Sequence, residues 1–418
     1  MLMTILSMNP IKRKVHALKR QFSDSLVMHN YKEYLEKNEE TGDPKRALVS
    51  YLSYPLLKPY KKVSFSNSGI ARSIPRALNE LGYIVDIVDL HNMKFVPQRK
   101  YDLFLGHAGH NFKKIRENLD KNSVAIVFAP GDYWKFANEN EKKRFEYLKQ
   151  RRGVVLPYDR YHYGFEMEEF SFSIADGIIC LGNETMLEPY SKFPLVLNLN
   201  NASYYDNHFD KTEKDIEKTR NNYLFFSGGG NVHKGLDLLL EVFSRRNENL
   251  YICTTLDQEF GYEYKKELQR SNIHFMGWVR QRSKKFYDIV DNCSFIIFPS
   301  CSEGSAGSVV ECINQGLIPI ISEETRIDVH NMGILLKEST IEEIENVVEK
   351  VSNKPLDWIK EKSDVARKIA VTDYSEKAFV ENMKMNIETI IRAKKENILL
   401  NTSFSASLTE NKYIGMEE

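Results

Sequence analysis

The chain has 418 residues, with 58 Lys plus Arg balancing 58 Asp plus Glu, so its formal charge is zero and no global basic field recruits nucleic acid. At 42% apolar and 28% charged residues it has the composition of an ordinary globular protein, long enough for two domains with a core each. No apolar run reaches about 18 residues, which excludes a membrane-spanning helix, and the five cysteines form no zinc-like pair, which fits reduced thiols in a cytoplasmic setting.

Residues 1–44 read as a polar arm, with Glu36 to Asp43 as its linker. The start Met1-Leu-Met-Thr-Ile-Leu-Ser7 lacks the basic region and long apolar core of a secretory signal. Lys12 to Phe22 is basic with scattered apolar residues. It suits peripheral contact with an anionic membrane, at its inner face; a solvated helix is the plainer alternative.

Residues 45–210 read as a first α/β domain. Ala47 to Leu52 is a strand, Ser66 to Gly82 a helix and Tyr83 to Leu90 an alternating strand, together a β-α-β unit. Further strands are expected at Tyr101 to Leu105, Ser123 to Ala129, Ala175 to Leu181 and Pro194 to Leu199, with helices near 111–119, 137–150 and 183–190. Such alternation gives a doubly wound parallel sheet, whose ligands bind at the carboxyl edge of the strands. That edge should carry His107, His110 and Asp132. The histidines read equally well as a helix cap or a buried, satisfied imidazole, and they lack a third ligand at metal-binding spacing.

Residues 203–221 are the connection to a second domain, 211–385. There Tyr223 to Ser227 is a strand, followed by Gly228, Gly229 and Gly230 and then by Lys234-Gly235 at the mouth of an apolar helix. Glycines free the backbone for positive φ or close ligand approach. A lysine at a helix amino terminus opposes the dipole unless an anion lies between them. A second strand, Ser294 to Phe298, runs into Pro299-Ser-Cys-Ser-Glu303-Gly304-Ser305-Ala306-Gly307 and a helix that carries Glu311. One glutamate precedes the turn and the other lies about one helical turn inside, so they can hold opposite ends of one ligand. Helices at 340–351, 356–371 and 375–398 close the chain, with 386–418 as a crossing helix and a loosely held tail from Asn401.

These two turns, with Phe275-Met-Gly-Trp-Val279, Tyr287 to Ser300, Gly316-Leu-Ile-Pro-Ile-Ile-Ser322 and Gly333-Ile-Leu-Leu336, resemble the retaining glycosyltransferases of GT-B fold that carry a Glu, seven residues, Glu signature. The resemblance covers most of residues 221–390. It implies two Rossmann-like doubly wound domains facing a central cleft, and an enzyme that moves a hexose from a nucleotide diphosphate sugar to an acceptor hydroxyl with retained configuration. Glu303 would contact hydroxyls of the donor sugar, Gly304 to Gly307 would offer amides to sugar and phosphate, Glu311 would bind ribose and Lys234 would neutralise the leaving diphosphate. Gly69, in Asn67-Ser-Gly-Ile70, resembles a first glycine-rich loop at the cleft, and His107, His110 and Asp132 fall in the acceptor region. The scheme needs no metal and no cofactor beyond the donor itself.

Two departures stand out. Family members usually pair the lysine with an arginine five residues earlier, where this chain has Gly229, so Arg280, Arg282 and Lys284 are candidates to replace that cation. Phe128-Ala-Pro-Gly-Asp132 lacks the histidine that many members place before the aspartate. Two rival readings stand beside this one, the first favoured by these losses. One is a degenerate GT-B subunit that partners another glycosyltransferase; the other is a sugar-nucleotide epimerase or a glycogen-type phosphorylase. By analogy of fold the acceptor is a saccharide, lipid-linked or protein-linked, in surface polysaccharide or glycoconjugate synthesis.

Overall fold

Two parallel sheets organise the chain. The computed structural model describes residues 27–31, 45–57, 67–193, 195–203 and 206–413, with side chains as far as residue 396. The basic segment 12–22, the linker 36–43 and residues 414–418 lie outside the described residues.

The first sheet has the order β1-β3-β2-β4-β5-β6-β7, from Val27–Tyr31 (β1), Arg46–Tyr51 (β2), Ile84–Asp89 (β3), Leu103–His107 (β4), Val124–Ala129 (β5), Gly177–Leu181 (β6) and Val196–Leu199 (β7). All neighbours are parallel except β1, which lies antiparallel to β3 at the edge. The arm read from sequence as polar thus contributes a strand. Its alternation is masked by polarity: Met28 packs on the core while His29 and Asn30 bond to the buried carboxylate of Asp86.

Strand β5 shows why this sheet is covered on both faces. Val124, Ile126 and Phe128 point into one core, and Ala125, Val127 and Ala129 into the other. Fully burying a residue such as Phe128 stabilises the fold by about 1.5–3 kcal/mol. The helix Asn67–Glu80 covers the first face beside the final helix, Glu376–Tyr413, whose Phe379, Val380, Met383, Ile387 and Ile390 enter that core. A Cβ on Gly177 would come within 2.6 Å of Ile390, so the missing side chain lets this helix seat on β6. The same helix runs as far as Tyr413, well past the start expected for the tail.

The second sheet has the order β10-β9-β8-β11-β12-β13, all parallel, from Asn222–Phe226 (β8), Asn249–Cys253 (β9), Ile273–Phe275 (β10), Phe295–Phe298 (β11), Ile318–Ser322 (β12) and Ile334–Leu336 (β13). Its strands are near-continuous apolar runs, as helices on both faces require. The five cysteines are free and buried. No helix of the described residues is long and apolar enough to cross a membrane.

The helix Trp134–Arg152 belongs to the β5–β6 connection of the first sheet but docks on the second domain. Phe145 and Leu148 join that domain's core, Arg144 donates to the Pro299 carbonyl at 2.8 Å, and Arg151 and Arg152 pair with Asp237, Glu241, Glu263 and Glu267. A second helix, Glu166–Ile174, unforeseen in the sequence, returns the chain to the first sheet.

Candidate functional site

Open α/β sheets bind ligands beyond the carboxyl ends of their strands, where the strand order reverses. In the second sheet that point lies between β8 and β11, and the turns that follow these strands are the two glycine-rich segments.

After β8, Ser227 Oγ donates to the Gly229 carbonyl at 2.9 Å and accepts from its amide at 3.2 Å. Gly229 and Gly230 have φ of 126° and 84°, which L side chains rarely adopt. Bonds from Lys234 N to Gly230 O and from Leu236 N to Asn231 O close the turn and open the helix Leu236–Phe243. Among the described residues the amides of Gly228, Gly230 and Asn231 have no protein acceptor. A Cβ on Gly235 would lie 2.5 Å from the Pro299 carbonyl, so this glycine brings the two turns together.

That approach sets the central pair. Lys234 Nζ lies 2.9 Å from Glu303 Oε1, which also accepts from Ser300 Oγ at 3.0 Å. Burial opposes charge on Glu303, yet Lys234, with His233 and Arg160, outweighs it and holds the carboxyl below its ordinary range. Glu303 is therefore ionised at neutral pH.

Glu311 sits one turn into the helix Gly307–Asn314 and is 1% exposed. Arg282 forks onto it, Nε to Oε2 at 3.1 Å and Nη2 to Oε1 at 3.0 Å, with Asp206 close behind. Burial pushes its pKa up against the pull of Arg282. The two glutamates thus have separate cations. Between them Gly304 abuts the turn after β5: a Cβ there would fall 2.1 Å from the Pro130 carbonyl. Ser305, at φ 47°, is held by Asn201, whose Nδ2 donates to its carbonyl at 2.7 Å. Ala306 completes this turn with its amide on the Thr325 carbonyl.

The first domain treats its expected residues differently. His107 ends β4 with Nδ1 2.8 Å from the Ala108 carbonyl and its ring stacked on Tyr51; burial pushes its pKa down, so the imidazole is neutral. His110 is exposed as the first residue of the helix His110–Glu117. Gly69 lies buried in the first turn of the helix Asn67–Glu80, inside the helix expected from Ser66. Asp132 is corrected. Its carboxylate does not open onto the cleft rim but is buried between the domains, accepting from Arg326 Nη2 at 3.0 Å and Ser302 Oγ at 3.0 Å. Burial, only partly offset by Arg326, lifts its pKa to about 6.

None of the three cations proposed to stand in at Gly229 reaches it. Arg282 is taken by Glu311, Lys284 pairs with Asp288 at 2.9 Å on the surface, and Arg280 is exposed beyond β10. The cation at this turn is Arg160, from the first domain: its Nη2 donates to the Gly229 carbonyl at 3.3 Å. Sequence reading passed over it because nothing local marks a residue that arrives from the opposite domain. The run Tyr158-Asp-Arg-Tyr-His-Tyr163, charged and aromatic between two helices, was the only available signal. Among the described residues no group of three or more His, Cys, Asp or Glu could hold a metal ion.

Residues 208–370 match the family model described as glycosyl transferases group 1. No curated protein sequence matches the chain. Among solved structures, sucrose-phosphate synthase from Thermosynechococcus elongatus superposes with a TM-score of 0.56 at 12% identity, covering 84% of this chain and 100% of that one. Anabaena Alr3699/HepE in complex with UDP gives 0.55 at 10% identity, covering 82% and 100%. WaaG, a glycosyltransferase involved in lipopolysaccharide biosynthesis, gives 0.50 at 13% identity, covering 81% and 98%. Other matched chains are longer: this one spans 59% of TarM, at a TM-score of 0.49. At these identities the likeness speaks for the fold, two Rossmann-like domains of the GT-B kind. The chain thus has a GT-B fold, and its residues 208–370 are similar to the glycosyl transferases group 1 family.

Proposed function

We propose that the protein is a retaining glycosyltransferase that moves a sugar from a nucleotide diphosphate sugar to an acceptor hydroxyl. The observation that carries this reading is the Lys234–Glu303 pair, set where the strand order reverses and flanked by glycine turns with unpartnered amides. A structural neighbour binds UDP, which agrees with a nucleotide donor.

In this reading Lys234 and the amides of Gly228 and Gly230 hold the diphosphate. Glu303 and the turn Gly304 to Gly307 hold the sugar. Glu311 takes the ribose diol on the lone pairs that the Arg282 fork leaves over, since an ionised carboxylate has about four acceptor sites. The acceptor enters from the first domain, past His107 and His110. Its hydroxyl oxygen bonds to the anomeric carbon, the bond from that carbon to the phosphate oxygen breaks, and the proton passes to the departing phosphate. The ammonium of Lys234 stabilises the charge that develops there. Domain closure excludes water and favours transfer over hydrolysis.

A saccharide, lipid-linked or protein-linked acceptor in surface polysaccharide or glycoconjugate synthesis suits this scheme, as does a cytoplasmic site of action with the amino-terminal arm against the membrane. The test is calorimetric titration of UDP, GDP and their sugar conjugates, with Lys234→Ala and Glu303→Gln as controls. Micromolar binding of one nucleotide, lost in Lys234→Ala, supports the donor site. Absence of binding to any of them sinks the enzyme reading and leaves a non-catalytic partner subunit.

A further inference from the structure

Segment 153–165 leaves the first domain and lies across the first glycine-rich turn, and its backbone is fixed there from both sides. Asp159 Oδ2 accepts from Val232 N at 2.7 Å and from His233 N at 2.9 Å. Glu141 Oε1 accepts from Arg160 N at 2.7 Å, and Asn138 bonds both the amide and the carbonyl of His162. These ties come from the helix Trp134–Arg152, itself anchored on the second domain. The result is a rigid mount for one side chain, that of Arg160.

The placement of that side chain is specific. A Cβ built on Gly230 would lie 3.0 Å from Arg160 Nε and 3.6 Å from Lys234 Cε, so the two cationic side chains flank one glycine. A side chain at that position would part them. Arg160 differs from its neighbours in being uncommitted. Arg144 is spent on a buried carbonyl, Arg151 and Arg152 on carboxylates, and Arg282 on Glu311, whereas the recorded partner of Arg160 is the carbonyl of Gly229 alone. Among the described residues it forms no ion pair. The nearest carboxylate in sequence, Asp159, is turned away onto two amides. A guanidinium bonded only to a carbonyl, an ammonium and three unpartnered amides, those of Gly228, Gly230 and Asn231, therefore gather at one turn. A planar fork of donors matches phosphate oxygens two at a time, while lysine acts as a point charge.

We infer that Arg160 is the second cation of the diphosphate site, supplied across the cleft by the amino-terminal domain. This rests on the donor-site reading above and adds to it that leaving-group stabilisation is shared between domains. Segment 153–165 is docked on the second domain by Asp159 and by the helix Trp134–Arg152, so Arg160 is held beside Lys234 at this turn.

The experiment compares nucleoside diphosphates with monophosphates. UDP, GDP, UMP and GMP are titrated calorimetrically into the full chain and into Arg160→Ala and Arg160→Lys, with thermal melting of each to confirm folding. The expected result is at least tenfold weaker binding of the preferred diphosphate in Arg160→Ala, less than twofold change for the matching monophosphate, and partial recovery in Arg160→Lys. General loss of structure would weaken both nucleotides alike, so the difference between them reports the role in phosphate binding. Equal affinity of wild type and Arg160→Ala for the diphosphate overturns the inference while leaving the donor site standing. Failure of the wild type to bind any of the four nucleotides removes the donor site, and the role of Arg160 with it.

Discussion

The carboxyl edges of the two sheets face the same cleft but are finished in opposite ways. Beyond the second sheet, Lys234 and Glu303 form a charged pair beside unpartnered amides. Beyond the first, His107 is stacked and neutral, and Asp132 is locked to Arg326 and Ser302. One edge keeps its polar groups available for a ligand; the other uses them to hold the domains together. Equivalent positions in two similar folds thus acquire different work according to what the partner domain places against them.

The sharpest way to break this contrast is to remove the charge at the second edge. Lys234→Ala should lower turnover by about 10²–10³-fold, the scale of losing one electrostatic contact to a developing anion; a donor-consumption assay checks it. At the first edge the loss should appear in stability. Asp132→Asn removes one of the acceptor oxygens shared by Arg326 and Ser302 and should lower stability in denaturant unfolding, most at low pH. A variant with full stability would show that the tie between domains is incidental.

Gly304→Ala probes where the edges touch. Its Cβ would meet the Pro130 carbonyl at 2.1 Å, so backbone must move, at about 1–3 kcal/mol by the scale of overpacking. Reduced transfer should accompany that shift.

The acids of the two edges should also respond oppositely to pH. The folded pKa of Asp132, about 6, stands above its ordinary 3.8, so the folded protein holds this proton more tightly than the unfolded chain. Its contribution to stability is full below about pH 4 and declines as pH rises to about 6. Glu303 is shifted the other way, and its contribution is present above the ordinary carboxylate range and lost as pH falls through its lowered pKa. Unfolding measured from pH 4 to 7 should lose the first trend in Asp132→Asn. The smallest effect is expected at Lys284, whose exposed pair with Asp288 is screened by solvent: Lys284→Ala should leave nucleotide affinity and melting temperature unchanged.

Much of this arrangement is legible in the sequence because it is local. Strand, glycine turn and helix follow one another within about fifteen residues around Lys234 and again around Glu303, and each carries its own periodicity and φ demands. The parallel strands from Ala47 to Leu199 are legible for the same reason, as are Tyr223 to Ser227 and Ser294 to Phe298, whereas Asn249–Cys253 is not. What escapes is whatever depends on the opposite domain. Asp132 and Arg326 are 194 positions apart, and Arg160 and Gly229 are 69 apart. Nothing in either stretch alone shows that a helix of the first domain will bury Phe145 and Leu148 in the core of the second. Strand β1 escapes for another reason: on a two-faced edge of mixed polarity, the pattern Val-Met-His-Asn-Tyr has no clean period.

Besides the excursion of Trp134–Arg152, the chain passes between domains near Ser203 and again near Tyr374, and these two passages are bonded side by side: Ser203 N donates to the Tyr374 carbonyl at 2.8 Å, and Ser203 pairs with Ser375 in a parallel bridge. A single thread would let the lobes swivel and slide. Two threads laced together behave as a flat strap, which bends readily about one axis and resists torsion about the other. With the helix Trp134–Arg152 packed on the second domain elsewhere, the lobes are restrained at more than one place, and Arg160 is kept at its glycine.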